Sequence, residues 1–256
     1  MQEPDLEFYT DGIFSGNRRV IAKTITLVES TLPSDRRLAL RIIEQVIPYS
    51  GKSVRFGITG VPGVGKSTFI ENLGLYLAGQ GHRVAVLAVD PTSRRSGGSI
   101  LGDKTRMEKL AAHENTFIRP SPAGDTLGGV AAKTREIMLI CEAAGYDVVM
   151  VETVGVGQSE TRVSTMVDFF LALLIAGAGD ELQGIKRGIL EVADAVAINK
   201  ADGDNLNRAE RARKEYETAL HLVMPSSRSW TPPVLTCSSV TEGGTADVWG
   251  TVQDHR

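Results

Sequence analysis

A chain of 256 residues, 42% hydrophobic and 23% charged, is long enough to bury a full core as one large α/β domain or two smaller ones. Its net charge of −3 gives no reason to expect nucleic acid or an anionic membrane surface as the main partner. Cys141 and Cys237 belong to no CxxC or Cys/His cluster, and no run of about 18 uncharged apolar residues occurs, which together point to a reduced, soluble, cytoplasmic protein without a structural metal.

The first 50 residues read as a helical extension, acidic at the start (MQEPDLEFYTDG) and without a signal-type apolar region or a visible mitochondrial presequence. Between Asn17 and Ser30, the residues Val20, Ile21, Ile25 and Val28 recur at helical spacing. After Pro33, Ser34 is placed to cap a second helix carrying Leu38, Ile42, Ile43 and Val46 on one face. Such stripes predict a hairpin packed on the main domain, with a partner-binding arm as the alternative. From residue 51 to 256 a second unit alternates apolar runs with helical stretches. The runs fall at 54 to 59, 84 to 89, 116 to 118, 148 to 151, 169 to 175, 195 to 198 and 234 to 236. The helical stretches lie near 66 to 79, 104 to 112, 129 to 144, 183 to 191 and 207 to 221. Continuous apolar strands separated by helices predict an α/β fold with a mostly parallel central sheet covered on both faces, its ligands bound beyond the carboxyl ends of the strands.

The first apolar run feeds directly into Gly60-Val61-Pro62-Gly63-Val64-Gly65-Lys66-Ser67-Thr68, which fits G-x-x-x-x-G-K-[ST], and then into the helical pattern Phe69, Ile70, Leu73, Leu77. Strand, glycine loop and helix are the context of a phosphate-binding P-loop. Gly60, Gly63 and Gly65 let backbone N–H groups approach phosphate oxygens, and the helix N-terminus adds partial positive charge. Lys66 is placed to reach the β- and γ-phosphates and the Ser67 hydroxyl to ligate Mg²⁺.

Three carboxylates follow strands or open loops where a magnesium site would stand: Asp90, Asp103 and Glu152. One hydroxyl, one or two carboxylates and phosphate oxygens suit the octahedral oxygen shell of that ion. Asn199-Lys200-Ala201-Asp202 follows an apolar strand and has the N-K-x-D form of a guanine-reading element, in which the carboxylate accepts from the guanine N1–H and exocyclic amine. Cys237-Ser238-Ser239, after the last strand, stands where a backbone N–H meets the guanine carbonyl.

With GITGVPGVGKST, AVDPTS, LGDKTRM, ETVGVGQSE, AGDELQGIK and NKAD together, the chain resembles the MeaB/ArgK-type GTPases, the family of the methylmalonic aciduria type A protein, from about Asn17 to Trp249. The resemblance implies a G domain of the SIMIBI type, related to the signal-recognition and MinD-like P-loop proteins. It implies a Mg²⁺-dependent GTPase, binding GTP and GDP, that serves adenosylcobalamin-dependent acyl-CoA mutases as a chaperone, in the cytoplasm or, in a eukaryote, the mitochondrial matrix. Carried over by residue, it puts Lys66 and Ser67 on phosphate and Mg²⁺, Asp90, Asp103 and Glu152 around the metal, and Asn199, Lys200 and Asp202 on guanine. Asp180, Glu181, Gln183 and Lys186 match the family's third switch, a segment that on its residues alone reads as a solvated polar loop. The stretch Val154 to Glu160 reads as a second switch because Gly155 and Gly157 free its backbone, and Gln158 and Glu152 are the candidates to position the attacking water. Members of the family continue into a C-terminal helical arm that makes their homodimer; this sequence stops at Arg256, which leaves dimerisation by that arm open. A nickel-insertion client is the weaker reading, since His82, His113, His221 and His255 are scattered. An ArgK-like kinase would need a second substrate pocket that no motif marks.

Overall fold

The computed structural model describes residues 6–89, 107–120, 127–153, 160–177, 187–223 and 230–256. Three helices come first: α1 (Leu6–Phe14), α2 (Arg18–Glu29) and α3 (Pro33–Val46). Asn17 caps α2, its Oδ1 accepting from the N–H groups of Arg19 (3.1 Å) and Val20 (3.3 Å). At α3 the expected Ser34 cap is not used. The helix starts two residues earlier, with Leu32 at the N-cap and Pro33 in the first turn, where a missing N–H costs nothing and the ring's fixed φ already suits a helix.

The rest alternates. In order come β1 (Val54–Gly60), α4 (Lys66–Gly79), β2 (Val84–Val89), α5 (Glu108–Ala112), β3 (Thr116–Pro120), α6 (Leu127–Ala143), β4 (Val148–Thr153), α7 (Glu160–Ser164), β5 (Phe169–Ile175), α8 (Arg187–Val192), β6 (Ala195–Asn199), α9 (Leu206–Val223), β7 (Val234–Thr236) and α10 (Thr245–His255). The seven strands form one parallel sheet in the order β3-β2-β4-β1-β5-β6-β7.

Both faces are covered, which is why the strands read as unbroken apolar runs. On one face Phe56, Ile58, Met150, Leu171 and Ala197 pack with Phe69, Leu73 and Leu77 of α4 and with Val248, Trp249 and Val252 of α10. On the other, Leu87, Phe117, Val149, Val151 and Phe170 share a core with Ile13, Ile21, Ile25, Val28, Ile42 and Val46 of the three N-terminal helices and with Met138 and Cys141 of α6. Further along that face, Leu174, Val196 and Ile198 pack under Ala209 and Tyr216 of α9. The apolar stripes of α2 and α3 are thus turned into the core. Close packing reaches the backbone of β1: a Cβ at Gly57 would come within 2.5 Å of the Phe170 ring, so only glycine fits there.

A buried carboxylate ties α6 to the entrance of β1. Glu142 accepts from the Gly51 N–H (2.5 Å), the Ser53 hydroxyl (2.7 Å) and the Arg55 guanidinium (2.6 and 3.1 Å). Burial alone would raise its pKa, but these donors hold it below the ordinary value of 4.5.

The connectivity positions the site. From β1 the chain crosses to β2 on one side, and from β4 it crosses to β5 on the other, so β1 lies where the direction of winding reverses. In open parallel sheets such a reversal is where ligands bind, beyond the carboxyl ends of the strands. There the P-loop begins.

Candidate nucleotide-binding site

Gly60 ends β1 with φ +151°, and a Cβ on it would lie 2.4 Å from the Leu173 carbonyl of β5, so the turn out of the strand requires glycine. Gly65, at φ +96°, is the N-cap of α4; its own Cβ would sit 2.8 Å from the Asn199 side-chain nitrogen. Gly63 is also left-handed, at φ +79°. Val64 is wholly buried among Phe69, Ile58 and their neighbours and pins the loop to the core. The Lys66 ammonium curls back to donate to the carbonyls of Gly60 (2.6 Å) and Val61 (3.3 Å). Burial lowers its pKa, opposed by the charges of Glu152 and Glu160. A cation held on its own loop, nearly buried, at a helix N-terminus, suits a strongly anionic ligand. Thr68 follows, exposed on the first turn of α4.

Ser67 and Glu152 meet. The Ser67 hydroxyl lies 3.3 Å from Glu152 Oε1, because β4 pairs with β1 and carries Glu152 opposite Ile58. The next residue, Thr153, bonds the Thr59 hydroxyl at 2.8 Å in the buried layer beneath the loop. A hydroxyl and a carboxylate at that separation are hard oxygen donors of the kind Mg²⁺ takes, so these residues fit the ion. No group of three His, Cys, Asp or Glu side chains able to hold a metal occurs among the described residues. Asp90, Asp103, Gln158, Asp180, Glu181, Gln183 and Lys186 lie outside the described residues.

The guanine-type elements come from β6 and β7. Asn199 is fully buried at the end of β6; its Nδ2 donates to the Val64 carbonyl at 2.8 Å. Its Oδ1 accepts from the Ser239 N–H (3.2 Å), the Ser239 hydroxyl (3.0 Å) and the Cys237 thiol (3.6 Å). Lys200 adopts φ +61°, strained for a non-glycine residue, and its ammonium reaches the Gly63 carbonyl at 3.0 Å. Ser238 donates its hydroxyl to Asp202. A carboxylate accepts up to about four hydrogen bonds, so Asp202 keeps room for two donors from a base. The fold thus brings Asn199, Lys200, Asp202, Ser238 and Ser239 to the P-loop from far along the chain: the bonds from Asn199 to Val64 and from Lys200 to Gly63 span 135 and 137 residues.

Sequence reasoning missed two neighbours. Glu160, the buried first residue of α7, is close enough to raise the pKa of Lys66; in the sequence it closes the stretch that reads as a second switch, with no sign of a link to Lys66. Asn72 of α4 donates to the Ser239 carbonyl at 2.5 Å, and a lone polar residue on a half-exposed helix carries no signal of such a bond.

The sequence model of the family described as "Methylmalonyl Co-A mutase-associated GTPase MeaB" matches residues 21–256. The chain belongs to this family of P-loop GTPases. It is 56% identical over 252 residues to a putative GTPase of Caulobacter vibrioides, covering 98% of this chain and 77% of that one. To the GTPase ArgK of Escherichia coli it is 53% identical, over 94% of this chain and 73% of the relative. The mouse methylmalonic aciduria type A homolog, mitochondrial, is 49% identical over 96% of this chain and 61% of its own. A crystal structure of an LAO/AO transport system kinase superposes with a TM-score of 0.84 at 44% identity, covering 100% of this chain and 76% of that one. HypB from Helicobacter pylori, in complex with nickel, shares the fold at a TM-score of 0.58 and 18% identity, over 84% and 91% of the two chains. No helix among the described residues is long and apolar enough to cross a membrane.

Proposed function

We propose that this family member hydrolyses GTP to GDP and phosphate with Mg²⁺ and uses that cycle as a chaperone for an adenosylcobalamin-dependent acyl-CoA mutase, gating delivery of the cofactor and protecting the enzyme. The observation that carries the nucleotide half is the Asn199 side chain, which joins the P-loop carbonyl of Val64 to the base-reading loop at Ser239. The family description and the name of the mouse relative support the client half.

In this reading the Ser239 N–H passes from Asn199 to the guanine carbonyl, and Asp202 accepts from N1–H and the exocyclic amine. Adenine offers no such pair of donors, so a carboxylate left desolvated and unpaired penalises ATP. Lys66 moves from the Gly60 and Val61 carbonyls to the phosphates. There the ammonium and the N–H groups at the start of α4 stabilise charge as water attacks the γ-phosphorus in line and the bond to the β–γ bridging oxygen breaks. Ser67 and Glu152, with Asp90 and Asp103, would hold Mg²⁺, which neutralises charge on the β- and γ-oxygens. Gln158 or Glu152 positions the water. The segment with Asp180, Glu181, Gln183 and Lys186 reports the nucleotide state to the mutase. The unit 51–256 is the GTPase domain, 1–50 its helical extension, and the protein is cytoplasmic, or resides in the mitochondrial matrix in a eukaryote.

The test is phosphate release from GTP and from ATP, alone and with a cobalamin-dependent acyl-CoA mutase. Turnover selective for GTP and raised by the mutase is expected, and Lys66→Ala should abolish it. Equal use of ATP would overturn the guanine reading, indifference to such mutases the client, and transfer of labelled γ-phosphate to an acceptor other than water would favour a kinase.

A further inference from the structure

We propose that Asn72, on the helix that follows the P-loop, is a positioning residue for guanine recognition: it orients Asp202 through a chain of hydrogen bonds. The inference rests on the guanine reading of Asp202 given above.

The chain can be followed atom by atom. Asn72 Nδ2 donates to the Ser239 carbonyl at 2.5 Å, across 167 positions of sequence. That carbonyl shares a rigid peptide plane with the N–H of Val240. The Val240 N–H donates to the Ser238 hydroxyl oxygen at 3.2 Å, as does the Thr241 N–H at 3.1 Å. With two donors on its oxygen, the Ser238 hydroxyl is left to point its own proton at Asp202, to which it donates. Asn72 therefore fixes one end of a peptide plane whose other end fixes the serine that holds the carboxylate.

Ser239 is gripped on its opposite side as well, its N–H and hydroxyl both bonded to Asn199. Without Asn72, the Ser239 to Thr241 turn would keep its bonds to Asn199 and Ser238 but lose its tie to α4, and the peptide plane could rotate. The neighbours of Asn72 on α4 are otherwise engaged. Glu71 accepts from the N–H groups of Lys109 and Leu110 at the start of α5 (3.0 and 3.4 Å), and Leu73 is buried in the core. Of these three residues it is Asn72 that reaches the base loop, through its bond to Ser239. Because α4 also begins at Lys66, the same rigid helix sets the positions of the phosphate and base readers.

The test uses the full chain with Asn72→Ala and the isosteric Asn72→Asp, which keeps the shape and loses the donor. Affinities for GDP, IDP and ADP are measured by calorimetry beside the thermal midpoint. IDP lacks the exocyclic amine that Asp202 accepts from, so the GDP-over-IDP ratio reports the orientation of that carboxylate. Wild type is expected to prefer GDP to both. Both variants should bind GDP roughly five- to tenfold more weakly, the change that one hydrogen bond makes, and lose most of that factor from the GDP-over-IDP ratio. Equal weakening of GDP and IDP would reduce Asn72 to a support of the helix and overturn the proposal, as would unchanged GDP binding. A wild type indifferent to guanine against adenine would instead overturn the reading of Asp202 itself, and the proposal with it.

Discussion

Asn199→Ala tests whether one side chain holds the two halves of the pocket together. Asn199 is wholly buried and bonds the Val64 carbonyl, itself on a wholly buried residue, at 2.8 Å. Truncation leaves that carbonyl without its donor in an apolar setting, a loss of about 1–3 kcal/mol. The Ser239 N–H and hydroxyl and the Cys237 thiol lose their common acceptor. Ser239 is half-exposed and solvent can replace part of that, so these add about 1 kcal/mol. A total near about 3 kcal/mol corresponds to a fall in Tm of roughly 6–12 °C for a chain of this size. Circular-dichroism melting of nucleotide-free protein reads it directly. A fall under about 2 °C, well below that range, would mean that the two loops are held by other contacts, and the account of Asn199 would be wrong.

Gly65→Ala should cost about 1–2 kcal/mol in backbone strain at φ +96° and displace Asn199 besides. Combined with Asn199→Ala its clash partner is gone, so the melting loss of the double variant should be smaller than the sum; strict additivity would refute the contact. Glu142 is held below its ordinary 4.5, so the folded protein binds that proton more weakly than the unfolded chain. Its contribution is complete above that pH and is lost as the pH falls through the lowered value. Urea midpoints measured downward from about pH 5 should therefore fall more steeply for wild type than for Glu142→Gln, and parallel curves would contradict this. Burial pushes the thiols of Cys141 and Cys237 up to about 12. Neither should react with iodoacetamide at about pH 8 in the folded protein and both should in urea; labelling of folded Cys237 would show that the base loop opens.

The sheet was legible because a strand buried on both faces leaves an uninterrupted apolar run, and FFLALLI at Phe169–Ile175 admits no amphipathic alternative. Strand ends were less so. The apolar run of β4 predicts a stop at 151, yet the strand continues to Thr153, since Glu152 and Thr153 stay paired with Ala88 and Val89 of β2 although they are polar. Neither α1 nor α7 stands out in the sequence: α1 turns Tyr9 and Ile13 inward but leaves Phe8 and Phe14 exposed, which blurs its stripe, and α7 has only five residues. At the site, Lys66, Ser67, Asn199 and Asp202 stood out because fixed spacing betrays them. Asn72 and the Thr59–Thr153 pair act through partners far away in sequence, and a threonine in a strand or an asparagine on a helix is what ordinary propensity already supplies there.

The central place of β1 also has a consequence for synthesis. Its two partners are residues 148–153 and 169–175, while the strand itself is complete at Gly60. A nascent chain must therefore carry both edges of this buried strand unpaired while about 90 further residues are made, several seconds or more at ordinary rates of translation. The base loop arrives later still. Until Ser239 has left the ribosome the guanine site lacks its second loop, so GTP cannot make its full set of contacts with the growing chain, and its full stabilising effect begins only after that point.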